Sequence, residues 1–203
     1  VIDSLISEYN NDPTRKELEF ILKKEINEHS LNNILKFLNK TKKKTEIVYI
    51  LDIDISSISN NHRLSLKSKS DNILKQHCLN EKNNNFSDYI LEYKKLINRY
   101  DIPDYNIRLN LKDEYEETEP NINSQFKQHY SKFVKNYRFK KRYIYSFDDF
   151  NIDISIVKTN KGRNIVSSNL SDTLENYEIE VECASKPVTF NSVLSIIKYL
   201  TYF

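Results

Sequence analysis

Two sets of carboxylates and one set of cations stand at spacings that could do chemistry. Glu17 and Glu19 alternate in KELEF, and Glu178, Glu180 and Glu182 alternate in YEIEVE. Arg138, Lys140 and Arg142 repeat that spacing in YRFKKRY, and Asp153 lies in FNIDISIV. Alternate side chains of a strand share a face, so each set points one way. Leu18 and Phe20, or Ile179 and Val181, point the other. Carboxylate oxygens are the hard donors that Mg²⁺ or Mn²⁺ takes, and guanidinium and ammonium groups match phosphate oxygens. Together they suit phosphoryl transfer, in which metal and cations neutralise a terminal phosphate and a carboxylate orients or deprotonates a water.

The same alternation recurs along the chain. Arg63, Ser65 and Lys67 oppose Leu64 and Leu66; Arg108, Asn110 and Lys112 oppose Ile107, Leu109 and Leu111; Asn151, Asp153 and Ser155 oppose Ile152, Ile154 and Ile156. An open antiparallel sheet would place such a polar face in water. The segregation of sign argues against it. Like charges in the 178–182 row stand about 7 Å apart, and each adjacent pair repels by roughly 2 kcal/mol at an effective dielectric near 20. Segregation makes sense if one wall holds a cation and the facing wall an anion. We therefore expect an α+β chain that is mainly an antiparallel β-barrel, with a charged, water-filled interior and a few covering helices.

The elements that would carry these residues are legible in outline. Residues 2–11 and 27–39 read as amphipathic helices, the first stopped before Pro13. Residues 15–24 read as a strand, and 46–55 with 62–68 as a hairpin. Further strands are expected over 89–97, 105–113, 137–147, 150–158 and 176–184. Residues 71–85 carry no decisive pattern and end in an Asn-rich turn, Asn83–Asn85; the acidic stretch 113–119 reads as a loop. Helices are expected over 123–136 and, closing the barrel, 190–203.

Composition excludes other chemistries. Of 203 residues only Gly162 is glycine, so neither a P-loop nor a dinucleotide-binding turn can be built, nor a G-x-S-x-G elbow. Charged residues make up 30% and balance to +2, against the strong basic excess of a nucleic-acid-coating protein. Fourteen Tyr and ten Phe supply apolar surface for a core. No apolar run is long enough to cross a membrane, and the sequence shows no signal peptide. Cys78 and Cys183 match no zinc spacing and read as reduced thiols. The Asn, Lys and Ile bias suggests an AT-rich genome. Length fits one domain spanning 1–203.

RKELEF, KKRYIYSFDDFNIDISIVK and YEIEVE, in this order, resemble the three hallmark segments of the triphosphate tunnel metalloenzymes, above all the fungal and large-DNA-virus mRNA 5′-triphosphatases. The resemblance implies a tunnel barrel that removes the γ-phosphate of 5′-triphosphate RNA, the first capping step, with Mg²⁺ or Mn²⁺ as cofactor. It implies Glu17, Glu19 and Glu182 as metal ligands, with Glu180 and Asp153 acting through metal-bound or attacking water. Glu178 belongs to the same acidic wall and is counted with the metal set, while bracing a basic neighbour such as Arg138. Lys140 and Arg142 would grip the terminal phosphate, aided by Arg138, Arg108 and Lys95, with Lys140, Arg142, Asp153 and Glu180 as the catalytic set. Asn151 departs from the family's arginine. The resemblance also implies guanylyltransferase and methyltransferase domains in the same polypeptide. A giant-virus capping enzyme suits the composition, with a host-cytoplasmic or virion location and no membrane partner.

Other residues carry less. His77-Cys78 has the nucleophile dipeptide of cysteine-dependent RNA triphosphatases, but the arginine needed six residues on is Asn84. Lys40–Lys44 reads as a solvated loop, with steering of RNA as the other reading. Glu114, Glu116, Glu117 and Glu119 are loop candidates for a general base, and Tyr143 and Tyr145 should pack under a covering helix. Two further functions stay open: the same fold acting on tripolyphosphate or a nucleoside triphosphate, and a non-catalytic RNA- or protein-binding barrel.

Overall fold

The computed structural model describes residues 1–41, 44–83 and 86–202. Lys42 and Lys43 of the basic run, and Asn84 and Asn85 of the expected turn, lie outside the described residues. Eight strands form one closed antiparallel barrel. They are β1 (Lys16–Leu22), β2 (Lys44–Asp54), β3 (His62–Ser68), β4 (Ile90–Ile102), β5 (Ile107–Glu116), β6 (Lys135–Ser146), β7 (Phe150–Gly162) and β8 (Asn176–Cys183). Around the barrel the order is β1-β5-β4-β3-β2-β6-β7-β8, and β8 returns to β1. The alternation dictates the inside and the outside: Leu18, Phe20, Leu109, Leu111, Ile152, Ile154, Ile179 and Val181 are all buried on the outer face, so the core lies between the barrel and its helices.

Two groups of helices cover that apolar exterior. Over β1, β5, β7 and β8 lie α1 (Ile2–Asn11), α2 (Glu28–Lys40) and α5 (Phe190–Leu200). Asn27 caps α2 by accepting from the Ser30 N–H at 2.9 Å, and Thr189 caps α5 by accepting from Ser192 N–H at 3.2 Å. Leu31, Ile34 and Leu38 of α2 and Val193, Ile196, Ile197 and Leu200 of α5 are the buried stripes. Tyr145 packs in this core as expected, its hydroxyl donating to Asn39 Oδ1 at 2.9 Å, with Tyr143 beside it. Over β2, β3 and the start of β6, α3 (Ile73–Asn83) and α4 (Pro120–His129) cover Leu51, Ile53, Leu64 and Tyr137.

Several boundaries differ from expectation, each for a physical reason. The indecisive stretch 71–85 contains α3, whose buried residues are only Ile73 and His77, too few to write a helical stripe. The helix expected over 123–136 begins at Pro120, which lacks an N–H and suits a first helical position, and β6 starts at Lys135. The acidic stretch 113–119 is not all loop, because β5 runs on to Glu116. The closing helix ends at Leu200. Gly162 ends β7 where a Cβ would stand 2.7 Å from Ser168 N, so only glycine fits that close approach. Asn106 and Asn169 take the left-handed turn positions (φ 53° and 48°) that glycine usually fills.

His77 is fully buried among Tyr89, Tyr130 and Tyr137, its Nδ1 bonded to the Tyr89 hydroxyl. Burial first, and the nearby Lys135 charge second, push its pKa down to about 4. Unfolding returns it to the ordinary value near 6.5. Between those values the unfolded chain binds a proton that the folded chain refuses, so stability is lost as pH falls from about 6.5 to about 4. In chemical denaturation across that window, the stability of the wild type relative to His77→Gln should fall with decreasing pH, by up to about 3 kcal/mol. A pH-independent difference would contradict this account of the site.

Candidate active site

The inward faces of the strands line a cavity of about 540 Å³. β1 brings Glu17 and Glu19 inward, and its neighbours supply Lys112 and Asn110 from β5 and Glu182 from β8 in direct register. Lys112 Nζ pairs with Glu19 and stands 3.5 Å from Glu17, while Asn110 donates to Glu19 Oε1 at 2.8 Å. On β4, Lys94 Nζ stands 2.9 Å from Glu17 and also pairs with Glu114. On the far side Lys140 Nζ stands 2.5 Å from Asp52, which also accepts from Ser65 Oγ at 2.9 Å and Arg63 at 3.3 Å. Arg142 holds Asp153 at 2.8 Å and reaches Glu180 at 3.5 Å.

The structure brings together Glu17, Glu19, Arg138, Lys140, Arg142, Glu180 and Glu182 around this one cavity. Asp153 stands behind Arg142, 4% exposed. Three expected members sit elsewhere. Lys95 is exposed and points outward; its neighbour Lys94 has the inward parity. Arg108 has the right parity but lies near the start of β5, outside the cavity lining, where it donates to Asp101 at 2.7 and 3.1 Å. Glu178 pairs with Arg138 and is not in the lining, so it fits the bracing role and not the metal set. The walls also differ from a simple acid wall facing a basic one. Acidic β1 and β8 are neighbours, and basic β6 stands two strands from β8, its arginines reaching across β7.

Sequence reasoning missed or undervalued Asp52, Arg63, Glu92, Lys94 and Glu114 as cavity residues. Asp52 and Asp54 alternate with Ile and Leu in YILDIDI, a signal that could have been read. Glu114 continues the parity of Asn110 and Lys112 and becomes visible once β5 is extended. Cys78 is half-buried with its thiol pKa pushed up by burial, the reverse of an activated nucleophile.

Enclosure sets the protonation of the carboxylates. Burial opposes ionisation of Glu17, yet Lys94 and Lys112 hold it well below the usual carboxylate range. Burial and the Glu17 charge push Glu114 up to about 7. Burial, with Glu180 and Glu17 nearby, pushes Asp153 up to about 6 against the pull of Arg142. Burial and the charges of Glu17, Asp153 and Glu114 push Glu182 up to about 8. Asn151 is the β7 register partner of Glu182, so the family's arginine would have put a cation there.

Among the described residues no three acidic, His or Cys side chains form a ready cation cage; Lys94 and Lys112 stand among the Glu17, Glu19 and Glu114 carboxylates instead. The donor set nevertheless suits a hard divalent cation. The oxygens are carboxylate, Glu17, Glu19 and Glu182 converge on one lining, and Asp153 Oδ1 is buried without a hydrogen-bond partner.

An eight-stranded antiparallel barrel with a lumen of interleaved acids and bases is the triphosphate-tunnel fold. Among solved structures the chain is similar to the triphosphatase of the mimivirus capping enzyme, with TM-score 0.72 and 19% identity over 99% of this chain and 94% of that one. The RNA triphosphatase domain of the trifunctional mimivirus mRNA capping enzyme, in another structure, gives 0.70 and 19% over the same shares. The S. pombe RNA triphosphatase Pct1 gives 0.52 and 14% over 90% and 76%. At these identities the likeness is one of fold. No protein-family model matches the sequence, and comparison with curated proteins yields no match.

Glu182 tests the electrostatics. Its folded pKa near 8 lies above the unfolded value, so the folded chain holds a proton that the unfolded chain releases. Its contribution is fully present below the unfolded value and is lost as pH rises through about 8. With EDTA present, Glu182→Gln should gain thermal stability relative to wild type as pH rises from about 4.5 to about 8, then hold a constant margin. A margin that shrinks with pH would mean that the carboxylate is well neutralised.

Proposed function

We propose that this chain is a metal-dependent polynucleotide 5′-triphosphatase, removing the γ-phosphate of 5′-triphosphate RNA in the first step of mRNA capping. The observation that carries the reading is the convergence of Glu17, Glu19, Glu180 and Glu182 with Arg138, Lys140 and Arg142 around one enclosed cavity. The similarity of fold to the mimivirus and S. pombe RNA triphosphatases supports it. The mimivirus enzyme is described as trifunctional, which supports placing this chain beside guanylyltransferase and methyltransferase domains in a larger polypeptide.

Glu17, Glu19 and Glu182 are the residues that would hold Mg²⁺ or Mn²⁺, which when bound supplies positive charge against the terminal phosphate. The chain's own groups do the rest. Lys140 and Arg142, with Arg138 and Lys94, exchange their carboxylate partners for phosphate oxygens, and the triphosphate lies in a lumen that needs no glycine loop. Asp153 braces the Arg142 guanidinium from behind, and Glu180 stands beside it in the cavity lining, an acceptor next to the terminal phosphate. Glu180, which lines the cavity, accepts the proton of the attacking water. The water oxygen bonds to the γ-phosphorus, the bond to the β-phosphate bridge breaks, and that oxygen leaves on the diphosphate end of the RNA.

Phosphate release from triphosphate-ended RNA, tripolyphosphate and a nucleoside triphosphate, each with Mg²⁺, Mn²⁺ or EDTA, tests this. We expect release with metal, none with EDTA, and preference for RNA. Glu19→Ala should lower turnover by several orders of magnitude and still fold, since Lys112 keeps Glu17 as a carboxylate partner at 3.5 Å. Unchanged behaviour of Glu19→Ala, or no release at all, would favour a binding barrel; a preference for tripolyphosphate would reassign the substrate.

The parity of β4 gives a second expectation. Lys94→Ala should reduce kcat/KM by about two orders of magnitude, as for loss of a group stabilising transition-state charge. Lys95→Ala, on the exposed outer face, should stay within about twofold, as surface changes usually do. Equal losses in the two variants would refute this assignment of the inward face.

A further inference from the structure

Arg99 stands apart from every other cation in the cavity. Arg63, Lys67, Lys94, Lys112, Arg138, Lys140 and Arg142 each pair with a carboxylate. Among the described residues Arg99 is the one lining Arg or Lys with no such ion pair. Its Nε donates to Asn110 Oδ1 at 3.2 Å, and the Asn110 amide donates onward to Glu19. That single neutral bond fixes the guanidinium without quenching its charge and leaves its terminal nitrogens for a ligand.

A local irregularity aims it there. In β4 the register with β5 shifts between Leu96 and Asn98: Leu96 faces Lys112, Asn98 faces Leu111 and Arg99 faces Asn110. Without the extra residue, Asn98 would face Asn110 and Arg99 would turn outward. Bulges of this kind re-aim side chains beside functional sites. Arg99 thus stands two residues along β5 from Lys112, roughly 7 Å toward the β4–β5 turn, and it is exposed where the central pairs are not. Its surroundings also change in character. Leu96, 43% exposed, and Asn60 and Asn61 line the cavity there. The Lys94 N–H donates to Asn61 O at 2.7 Å and holds that loop against β4. An apolar contact, two amides and one free guanidinium suit a nucleoside and its phosphodiester. The charged centre suits a bare triphosphate.

We propose that Arg99, with Leu96, Asn60 and Asn61, forms a subsite for the first nucleotide of the RNA and so distinguishes a triphosphate-ended polynucleotide from free tripolyphosphate. The proposal rests on the triphosphatase reading for its direction of entry. The guanidinium takes the oxygens of the phosphodiester that follows the first ribose, a group tripolyphosphate lacks, and the apolar and amide groups take the sugar and base.

The test uses the chain with Arg99→Ala and Arg99→Lys. Binding of a fluorescent 5′-triphosphate oligoribonucleotide is followed by anisotropy with tripolyphosphate as competitor, and the two hydrolysis rates are measured in parallel. We expect the preference for RNA over tripolyphosphate, in affinity and in kcat/KM, to fall about tenfold in Arg99→Ala, as for loss of one charge-assisted contact. Arg99→Lys should recover part of it. An unchanged preference in Arg99→Ala, or equal losses for both ligands, would overturn the proposal. A wild type that binds the oligonucleotide but hydrolyses neither substrate defeats the triphosphatase reading instead, and the binding preference still judges Arg99.

Discussion

Ionised groups enclosed in a barrel have to neutralise one another, and the interior of this one is built around that requirement. Each central cation is held between carboxylates of other strands: Lys112 by Glu19 and Glu17, Lys94 by Glu17 and Glu114, Lys140 by Asp52, Arg142 by Asp153 and Glu180. Desolvation of such pairs is costly, and the cost is met only where partners are close and the remaining lone pairs are satisfied. Asp52, with Lys140, Arg63 and Ser65 around it, meets that condition and is held well below the usual carboxylate range. Glu182 does not meet it and is pushed up to about 8. The uneven balance is where the chemistry lies: within the lumen the carboxyls pushed up, Glu114 and Glu182, line the space that a charged ligand would enter.

Much of this was legible because inward charge alternates with outward aliphatic side chains. In β8, Glu178, Glu180 and Glu182 take turns with Ile179 and Val181, and in β1 Glu17 and Glu19 with Leu18 and Phe20, so parity is unambiguous. Where the alternation fails, the reading failed. In EYKKLI two adjacent lysines compete for one inward place, and Lys94 takes it. The acids after Lys112 have only Tyr115 as an outward partner, which made the end of β5 look like a loop and hid Glu114. Neighbourhood across the barrel was beyond the sequence altogether. Arg142 meets Asp153 and Glu180 because β7 registers Ser155 with Arg142 and Asp153 with Glu180. Arg108 has the right parity and still lies off the cavity, because parity says nothing of height along the axis.

The helices take no part in the lumen, yet they make a polar interior affordable. With acids and bases inside, the usual core of a small barrel is missing, and the apolar burial moves outward. Leu18, Ile154 and Ile179 pack under α1, α2 and α5, while Leu51, Ile53 and Tyr137 pack under α3 and α4. Two separate cores, over different strands of the wall, clamp strands that could not hold together around a charged interior alone. The rigidity this gives is what keeps side chains from β1, β6 and β8 within reach of one ligand.

The pairing of β1 with β8 has a consequence for how the molecule comes into being. Glu19 meets Glu182 and Phe20 meets Val181 across the seam, so the last contact to close joins segments from nearly opposite ends of the chain. Contacts so distant in sequence form slowly. During synthesis the seven earlier strands emerge first, with both seam edges bare and unpaired hydrogen-bonding groups along them. The seam also sets two rows of glutamates side by side, which opposes closure. Ions in the surrounding solution therefore bear on how fast the nascent barrel shuts.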